Sequence, residues 1–289
     1  MGDSVEFDVV VVGSCNLDLV STTTRLPMPG ETVRAIAYAE HAGGKGLNQA
    51  VACARMGART AFIGCVGNDS AGTMLRDLLD SEGIDTSQLV TVDAPTGRAF
   101  ITVDASGENT IVIVAGANAH VGQTVITVPS SKVLLTQLEI PLEVATRVFA
   151  QAHNAITVLN PAPAAAIPSE LLSLCDIAVP NETESDAMGG TKYLLGAGVA
   201  TVVTTLGERG AEISDATSTS AVTPYPVNAI DTVGAGDAFV GALCAELARG
   251  ETIEHAARIA SIAGALATTV HGATPSLPTR AAVMSLYAD

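Results

Sequence analysis

An aspartate placed to act as a base follows a turn of very small residues in the segment DTVGAGDAF, residues 231–239. The run after it has the composition of a helix, so Asp237 falls near a helix start, where free backbone N–H groups and the helix dipole favour an anion. Gly234, Ala235 and Gly236 let an anion contact the backbone, while the carboxylate accepts a proton from a neighbouring hydroxyl. A base and an anion hole so close together suit phosphoryl transfer. The alternative is that Asp237 serves only as the N-cap of the helix.

A second glycine turn leads into a helix at HAGGKGLNQA, residues 41–50. Lys45 is one of only three lysines in the chain, and it stands close to Asn48 in the predicted first turn of that helix. This pair makes the turn a second candidate for ligand binding. For Asn48 alone, helix capping is the alternative, since asparagine is favoured at helix starts.

The segment GSCNLDLV, residues 13–20, follows the first predicted strand and carries Asn16 and Asp18 among apolar residues. Side chains at i and i+2 of an extended stretch point the same way. An amide and a carboxylate on one face are a suitable pair for adjacent sugar hydroxyls. Ordinary surface polarity is the alternative.

The segment PNETE, residues 180–184, places Asn181, Glu182 and Glu184 directly after an apolar strand. Open α/β sheets bind ligands at this end of their strands. A carboxylate and a carboxamide there suit a hydrated Mg²⁺ that bridges phosphates. The alternative is a pair of glutamates in the first turn of a helix, placed to favour its dipole.

The glycine spacing excludes two common nucleotide-binding loops. The only Gly-Lys pair, Gly44-Lys45, is followed by Gly46 and lacks the first glycine of a P-loop at the required distance. A dinucleotide fingerprint in the 234–239 turn requires glycine at its last position, where Phe239 stands. A dehydrogenase is therefore the least favoured enzyme class.

Apolar, β-branched segments alternate with helical segments along most of the chain, as in βαβ units on a parallel sheet buried on both faces. The predicted strands cover residues 8–13, 60–67, 132–139, 155–161, 176–181 and 199–207. The predicted helices cover residues 46–58, 71–83 and 141–153, with a nearly continuous helical region over residues 238–269 that is divided at Gly250. The fold class is therefore α/β.

Two stretches break this alternation, residues 33–40 and residues 97–114, and the second has the pattern of a hairpin that turns at residues 105–108. Strands without a helix between them do not fit the parallel core, so we expect a small separate β-layer that acts as a lid over the strand ends. The prediction is a single domain over residues 1–289, with lid strands from about 16–40 and 97–114.

The composition indicates a globular protein whose partners are small molecules. The 289 residues carry 30 acidic and 14 basic side chains, a formal charge of −16, without any cluster of lysine and arginine. Nucleic acids and anionic membranes both need a concentrated basic face, so neither is an expected partner. The five cysteines are odd in number and widely spaced, as is typical of free thiols in a reducing cytosol. No apolar run is long enough to cross a bilayer, and the expected location is the cytoplasm.

Taken together, these segments resemble the ribokinase family of sugar kinases and follow its order over nearly the whole chain. The matching segments are GSCNLDLV, MPGETV, GGKGLNQAVACARMGA, AGANA, LLTQLEIPLE, LNPAP, PNETE, TLGERGA, DTVGAGDAFVGAL and HGATPS. The resemblance implies a parallel sheet flanked by helices, a homodimer formed through the β-lid, and transfer of the γ-phosphoryl group of ATP to the 5-hydroxyl of D-ribose. The alternatives are another sugar kinase of the family, acting on 2-deoxyribose, fructose or a nucleoside, and a sugar-binding sensor without catalysis.

The resemblance also implies roles for particular residues. Asp237 is similar to the catalytic base of the family, and Gly234, Ala235 and Gly236 are similar to its anion hole. The implied ribose-binding residues are Asn16, Leu17, Asp18, Gly44, Lys45, Gly46, Leu47, Asn48, Glu139 and Asp237. The implied ATP-binding residues are Asn181, Thr205, Leu206, Gly207, Glu208, Arg209, Gly210, Gly236, Asp237 and Ser261. Glu184 resembles the position that organises Mg²⁺ through water, and a monovalent cation, usually K⁺, is implied at Asp231, Val233, Ala267, Val270, Gly272 and Ser276.

The chain departs from the family pattern in three places. The segments between Glu184 and Val199 and between Asn118 and Lys132 are short, which predicts that one helix in each is trimmed or lost. Ser261 stands where the family often places an asparagine or a histidine against the adenine.

Overall fold

The computed structural model describes residues 6–287, so the ends of the predicted 1–289 domain, residues 1–5 and 288–289, lie outside the described residues. The strands are β1 (Phe7–Val12), β2 (Asn16–Thr22), β3 (Ala37–Gly43), β4 (Thr60–Gly67), β5 (Asp85–Val92), β6 (Gly97–Val103), β7 (Asn109–Val114), β8 (Ser131–Gln137), β9 (Ile156–Asn160), β10 (Ile177–Ala178), β11 (Thr201–Thr205), β12 (Ala211–Ser214) and β13 (Thr219–Val222). The helices are α1 (Lys45–Arg55), α2 (Ser70–Ser81), α3 (Leu142–Phe149), α4 (Ser169–Ser173), α5 (Glu182–Ala187), α6 (Thr191–Gly196), α7 (Ala235–Ala248), α8 (Ile253–Ala267), α9 (Ala273–Ser276) and α10 (Arg280–Tyr287).

The main sheet has nine strands in the order β13-β12-β11-β10-β9-β8-β1-β4-β5. The strands from β11 to β5 pair in parallel, and β12 and β13 add an antiparallel hairpin at one edge. After β1 the chain moves to β4 on one side, and later it returns to β8 on the other side. This reversal is a topological switch point, and open α/β sheets bind ligands at the carboxyl ends of the strands that flank such a point.

Helices cover both faces of the main sheet, which explains why the predicted strands are continuous apolar runs. Val9 and Val11 of β1 belong to one buried cluster, whereas Val10 and Val12 belong to a second. Successive side chains of a strand point to opposite faces, so β1 contributes to both cores. Each of these fully buried valines stabilises the fold by about 1.5–3 kcal/mol. The α/β prediction is confirmed.

A second sheet has four strands in the order β3-β2-β6-β7. The hairpin predicted over residues 97–114 is present as β6 and β7, with its turn at residues 104–108. The extended segment predicted at residues 33–40 lies further along the chain, since β3 begins at Ala37 and continues to Gly43, where it leads directly into α1. All six residues of the edge strand β7 are exposed.

Two short segments were predicted to have a trimmed or lost helix. Residues 184–199 contain residues 184–187 of α5 and the whole of the short helix α6, and residues 121–130 have neither helix nor strand. The long helical region divides at Gly250, which has a φ of 90°, into α7 and α8. The short hairpin β12–β13 and strand β5 were not predicted from the sequence.

All five cysteines, Cys15, Cys53, Cys65, Cys175 and Cys244, are buried and free. Burial raises the pKa of each thiol, to about 11 for Cys65 and to about 12 for Cys175. Among residues 6–287, none of the helices combines the length and the apolar character that a bilayer crossing needs.

Candidate active site

The predicted polar residues meet at the carboxyl ends of β1, β8, β9 and β10. Ser14 follows β1 and Glu139 follows β8, and the Ser14 hydroxyl donates to Glu139 Oε2 at 2.5 Å. The backbone N–H of Lys45, at the start of α1, donates to the same oxygen at 3.0 Å. The carboxylate of Glu139 therefore connects the first turn of α1 to β1 and β8, the two strands that flank the switch point.

Asp237 is not the N-cap of α7. The N-cap is Gly234, which provides no side-chain cap, and Asp237 lies three residues further on. Its carboxylate turns away from the helix, accepting the Nδ2–H of Asn48 on Oδ2 at 3.0 Å and the Nε2–H of Gln49 on Oδ1 at 2.9 Å. The side chain is 8% exposed. The carboxylate is thus held by two neutral donors and retains a small opening to the cavity beside it.

The start of α7 leaves backbone N–H groups without a helical acceptor. Gly234 has a left-handed φ of 81°, and a Cβ there would lie 2.9 Å from Ala273 Cα, so the turn requires glycine. The helical hydrogen bonds begin with Ala238 N–H donating to Gly234 O at 2.8 Å. The N–H groups of Gly236 and Asp237 precede that bond, and they are the groups with which a helix start binds an anion.

Asn48 does not cap α1 either, because the N-cap is Gly44 without a side-chain cap. While its Nδ2 donates to Asp237, its Oδ1 lies 2.8 Å from the hydroxyl of Thr274 in α9. Both ends of the Asn48 amide are thereby engaged by protein groups, and the side chain is 5% exposed. The structure shows Asn48 linking the proposed base to α9.

Sequence reasoning did not select Gln49, Gln137 or Asn160, which form a buried amide chain with Asp237. Gln137 Nε2 donates to Gln49 Oε1 at 2.6 Å, and Gln49 Nε2 donates to Asn160 Oδ1 at 2.9 Å as well as to Asp237. Asn160 Nδ2 then donates to Val179 O at 2.8 Å. Gln137 and Asn160 are the last residues of β8 and β9. Asn181 was chosen as a candidate because it directly follows a strand, and the ends of strands would have pointed to these two residues as well.

On the side of the small sheet, Asn16 and Asp18 lie at alternate positions of β2, as predicted, with Leu17 buried between them. Asn16 Oδ1 accepts from Asn118 Nδ2 at 2.7 Å, and Asn118 also pairs with the backbone of Cys15. These bonds orient Asn16, and Asn118 is a further residue that sequence reasoning missed.

Asp18 lies among other acidic side chains. Burial, together with the charges of Glu139 and Asp237, raises the pKa of Asp18 from 3.8 to about 7. A Cβ on Gly43 would overlap the Asp18 carboxylate, so glycine is needed at that position of β3. Near neutral pH this carboxyl group is therefore divided between its acidic and ionised forms.

Lys45 faces a cavity of about 60 Å³ that is also lined by Asn160, Asn181, Glu184 and Asp237. Burial lowers the pKa of the lysine, but the charges of Asp237, Glu139 and Glu184 outweigh it, and the net shift is upward. Lys45 therefore stays charged and provides positive charge within an acidic pocket. The structure brings Lys45 together with both the proposed base and the proposed magnesium residue.

Asn181 and Glu184 form a capping box at the start of α5. Asn181 Oδ1 accepts from Glu184 N at 2.7 Å, and Glu184 Oε2 accepts from Asn181 N at 2.9 Å. Helix capping, the ordinary role for such residues, is thus present. Both residues nevertheless line the same cavity as Asp237, so the cap also orients them towards the site.

A groove of about 810 Å³ adjoins this cavity and shares Thr205 and Gly236 with it. Of the predicted ATP-binding residues, the groove is lined by Thr205, Gly207, Glu208, Gly210, Gly236 and Ser261. Leu206 and Arg209 lie outside this lining, and Arg209 instead pairs with Glu182 at 2.7 Å. The hydroxyl of Ser261 donates to Thr223 O at 3.3 Å, which engages its only proton.

The residues expected to hold a monovalent cation lie in two neighbouring loops next to α7. The Asp231 carboxylate joins these loops, accepting from Val233 N at 3.0 Å and from Gly272 N at 2.8 Å. The Ser276 hydroxyl donates to Ala273 O at 2.7 Å, so its oxygen lone pairs remain available. The backbone N–H of Val270 donates to the carbonyl oxygen of Ala267, with 3.4 Å between the nitrogen and the oxygen.

The remaining predicted sugar residues contribute their backbone or their size. A Cβ on Gly44 would lie 2.9 Å from Asn16 N, and one on Gly46 would lie 2.5 Å from Ser14 N. The two glycines therefore let α1 approach the loop after β1. Leu17 and Leu47 are buried in the apolar interior.

The chain is similar to known proteins over nearly its whole length. Residues 6–280 match the model of the pfkB family carbohydrate kinases. The chain is 40% identical to the ribokinase of Staphylococcus aureus strain COL, over 93% of this chain and 96% of that protein. The crystal structure of Thermotoga maritima ribokinase aligns with a TM-score of 0.92 and 35% identity, covering 98% of this chain and 100% of that one. Arabidopsis thaliana ribokinase, solved in complex with ribose and ATP, aligns with a TM-score of 0.88 and 31% identity, covering 97% and 98%.

Proposed function

Because the chain belongs to the pfkB family of carbohydrate kinases and is therefore a sugar kinase, we propose that it transfers the γ-phosphoryl group of ATP to the 5-hydroxyl of D-ribose, giving D-ribose 5-phosphate and ADP. The observation that carries this proposal is the position of Gly236 and Asp237. Gly236 lines both the large groove and the small cavity, and Asp237 lines the cavity directly beside it. The base and the first turn of α7 thus stand where a nucleotide and a sugar would meet.

In the proposed mechanism Asp237 accepts the proton of the 5-hydroxyl as the oxygen attacks the γ-phosphorus and the bond to the β-phosphate oxygen breaks. The N–H groups of Gly236 and Asp237 donate to the oxygens of the phosphoryl group, on which negative charge is spread. Gly234 and Ala235 shape this turn. The Lys45 ammonium lines the same cavity and adds attraction for that charge.

Sugar binding is assigned to the side of the small sheet. Asn16 and Asp18 lie at alternate positions of β2, and Glu139, which follows β8, is close enough for its charge to raise the pKa of Asp18. Carboxylate and amide groups at this spacing suit the neighbouring hydroxyls of a furanose. Asn48 is engaged by Asp237 and Thr274 and so orients the base, and the second N–H of its amide is the group that it would offer to the sugar.

Two metal ions fit the donors present. Glu184 and Asn181 would hold Mg²⁺ through water, since carboxylate and amide oxygens are the donors this ion prefers. The ion would neutralise charge on the phosphates of ATP. Backbone carbonyls and the Ser276 hydroxyl in the loops at Asp231, Val233, Ala267, Val270 and Gly272 would hold K⁺. A cation there would order the 234–236 turn without contacting the substrates.

If the cation has this role, K⁺ will raise the turnover rate. The measurement is the initial rate in matched buffers of K⁺, Na⁺ and choline. Equal rates in all three would remove the cation from the proposal and leave the base and the anion hole in place.

We further propose that the protein is a cytoplasmic homodimer associated through the small sheet. Support for the dimer comes from the apolar residues that β7 leaves exposed, Ile111, Val112, Ile113 and Val114. Such a row on an edge strand favours pairing with another chain. Five free, buried thiols agree with a reducing compartment.

The first experiment is ADP release from the purified protein with ATP, Mg²⁺ and K⁺ across ribose, 2-deoxyribose, fructose and adenosine. A strong preference for ribose supports the proposal. If another acceptor is turned over faster, the proposed base and anion hole stand, and the residues on the side of the small sheet are assigned to that acceptor instead of ribose. If ADP is released with none of the four acceptors while ribose still binds in calorimetry, the sugar-binding sensor is favoured.

A further inference from the structure

Gln49 is completely buried, and every polar atom of its side chain is engaged. Nε2 donates to Asp237 Oδ1 and to Asn160 Oδ1, both at 2.9 Å, and Oε1 accepts from Gln137 at 2.6 Å. A buried polar side chain is costly unless its hydrogen bonds are made, and an aliphatic side chain of similar size is the ordinary alternative at such a position. The polar group at position 49 therefore calls for an explanation beyond packing.

The direction of the amide chain is fixed at both ends. The Asp237 carboxylate oxygens and the Val179 carbonyl each accept a hydrogen bond from an amide N–H. Asn160 must therefore point its Nδ2 at Val179, and Gln49 must point its Nε2 at Asp237 and at Asn160. Turning the Gln49 amide over would set oxygen against oxygen at both contacts. A single arrangement of the amides makes all of these hydrogen bonds.

The chain also connects the base to rigid elements. Gln137 ends β8, Asn160 ends β9, and Val179 follows β10 directly. Three neighbouring strands of the main sheet thus set the position of Gln49. Within residues 6–287, Gln137 Oε1 has no hydrogen-bond partner, and it lies so close to Gly13 that a Cβ there would overlap it. Glycine at position 13 therefore leaves the space that the outer end of the chain occupies.

We propose that Gln49 is a positioning residue for the phosphoryl transfer, holding one oxygen of Asp237 while Asn48 holds the other. This role rests on the proposed function. An aspartate side chain rotates easily about its last torsion, so one hydrogen bond would leave the second oxygen free to swing. Two donors, one on each oxygen, fix the plane of the carboxylate and leave further lone pairs for the sugar hydroxyl. Because both donors are neutral, they hold the carboxylate without adding to the positive charge of Lys45, which opposes proton uptake.

Two substitutions at position 49 separate positioning from packing. Gln49→Met keeps the volume and removes the donor, and we expect kcat to fall by roughly 10 to 100-fold, the scale of a small misplacement of a catalytic group. KM for ribose and for ATP should change by less than about 3-fold, since neither substrate contacts Gln49. Gln49→Glu sets a second carboxylate against Asp237. The two then share a proton, so the acid limb of the kcat/KM profile should move to higher pH.

The matched control is Gln88→Glu, which makes the same change of shape and charge on β5, where Gln88 donates to Thr127 O. We expect it to retain wild-type kinetics. A wild-type kcat in folded Gln49→Met, or an unshifted acid limb in Gln49→Glu, overturns the inference. Should neither variant at position 49 fold, Gln137→Met decides, because it removes the donor to Gln49 Oε1: a lower kcat at unchanged KM supports the inference, and a wild-type kcat overturns it. A wild-type protein without turnover instead overturns the proposed function, and the positioning role with it.

Discussion

At the scale of single residues, the proposed phosphoryl transfer depends most on Asp237, the proposed base. Replacing it by asparagine keeps the shape but removes the proton acceptor, so kcat should fall by about 10² to 10⁴-fold. Ribose affinity should remain near the wild-type value, because the side chains assigned to the sugar stay in place. Steady-state kinetics and calorimetry measure the two quantities. Asp77→Asn, at an exposed position of α2, is the control for the lost charge. Near wild-type turnover in Asp237→Asn would remove the base from the mechanism.

A second prediction at this scale concerns Asp18, whose raised pKa makes stability depend on pH. A carboxyl group with a higher pKa when folded binds its proton more tightly in that state, so its contribution to stability falls as the pH rises from 3.8 to about 7. Asp18→Asn removes this loss. Its free energy of unfolding should exceed that of the wild type increasingly between pH 5 and pH 8, by at most about 4 kcal/mol. Urea titrations at several pH values measure the difference, and a constant difference would contradict the prediction.

At the scale of elements, the start of α7 depends on a glycine in the left-handed conformation. Gly234→Ala adds a Cβ against Ala273 and shifts the N–H groups of the first turn, so we expect kcat to fall at least about 10-fold. Gly250→Ala is the matched control, since Gly250 has a similar φ of 90° but faces open space. Both variants should lose about 1 kcal/mol or more of stability, and only the first should lose activity. Equal kcat values for Gly234→Ala and Gly250→Ala would contradict a role of the turn in catalysis.

At the scale of elements, local sequence patterns predict some strands and helices well and others poorly. Strand β4 coincides with the predicted residues 60–67, because an apolar run between turns is a strong local signal. The strand predicted over residues 176–181 is present as β10 but has only two residues, and the hairpin β12–β13 is short and mixed in polarity, so a local pattern does not identify it. The glycine turns and strand-end residues of the site are likewise local features. The contacts of Asp237 with α1 join residues almost 190 positions apart, and local spacing carries no record of them.

For the whole molecule, the proposed dimer depends on the small sheet. Phe100 and Val112 are paired across β6 and β7 and are 47% and 63% exposed. Val112→Lys places a charge in this apolar patch and should convert a dimer into a monomer in light scattering, since an unpaired buried charge costs several kcal/mol. Val125→Lys makes the same change in a loop, at a position 93% exposed, and should leave the molar mass unchanged. A wild-type monomer at micromolar concentration would exclude the proposed interface.

The burial of all five cysteines has a consequence for how the molecule can be observed. A thiol reagent attacks the thiolate, and the raised pKa values leave almost none of it in the folded state. Alkylation must therefore wait for a local or global opening, and its rate reports the frequency of that opening. Cys15 directly precedes Asn16, on the side assigned to the sugar, whereas Cys175 lies near β10. Mapping modified cysteines over time would reveal which half of the sheet opens first, without any introduced label.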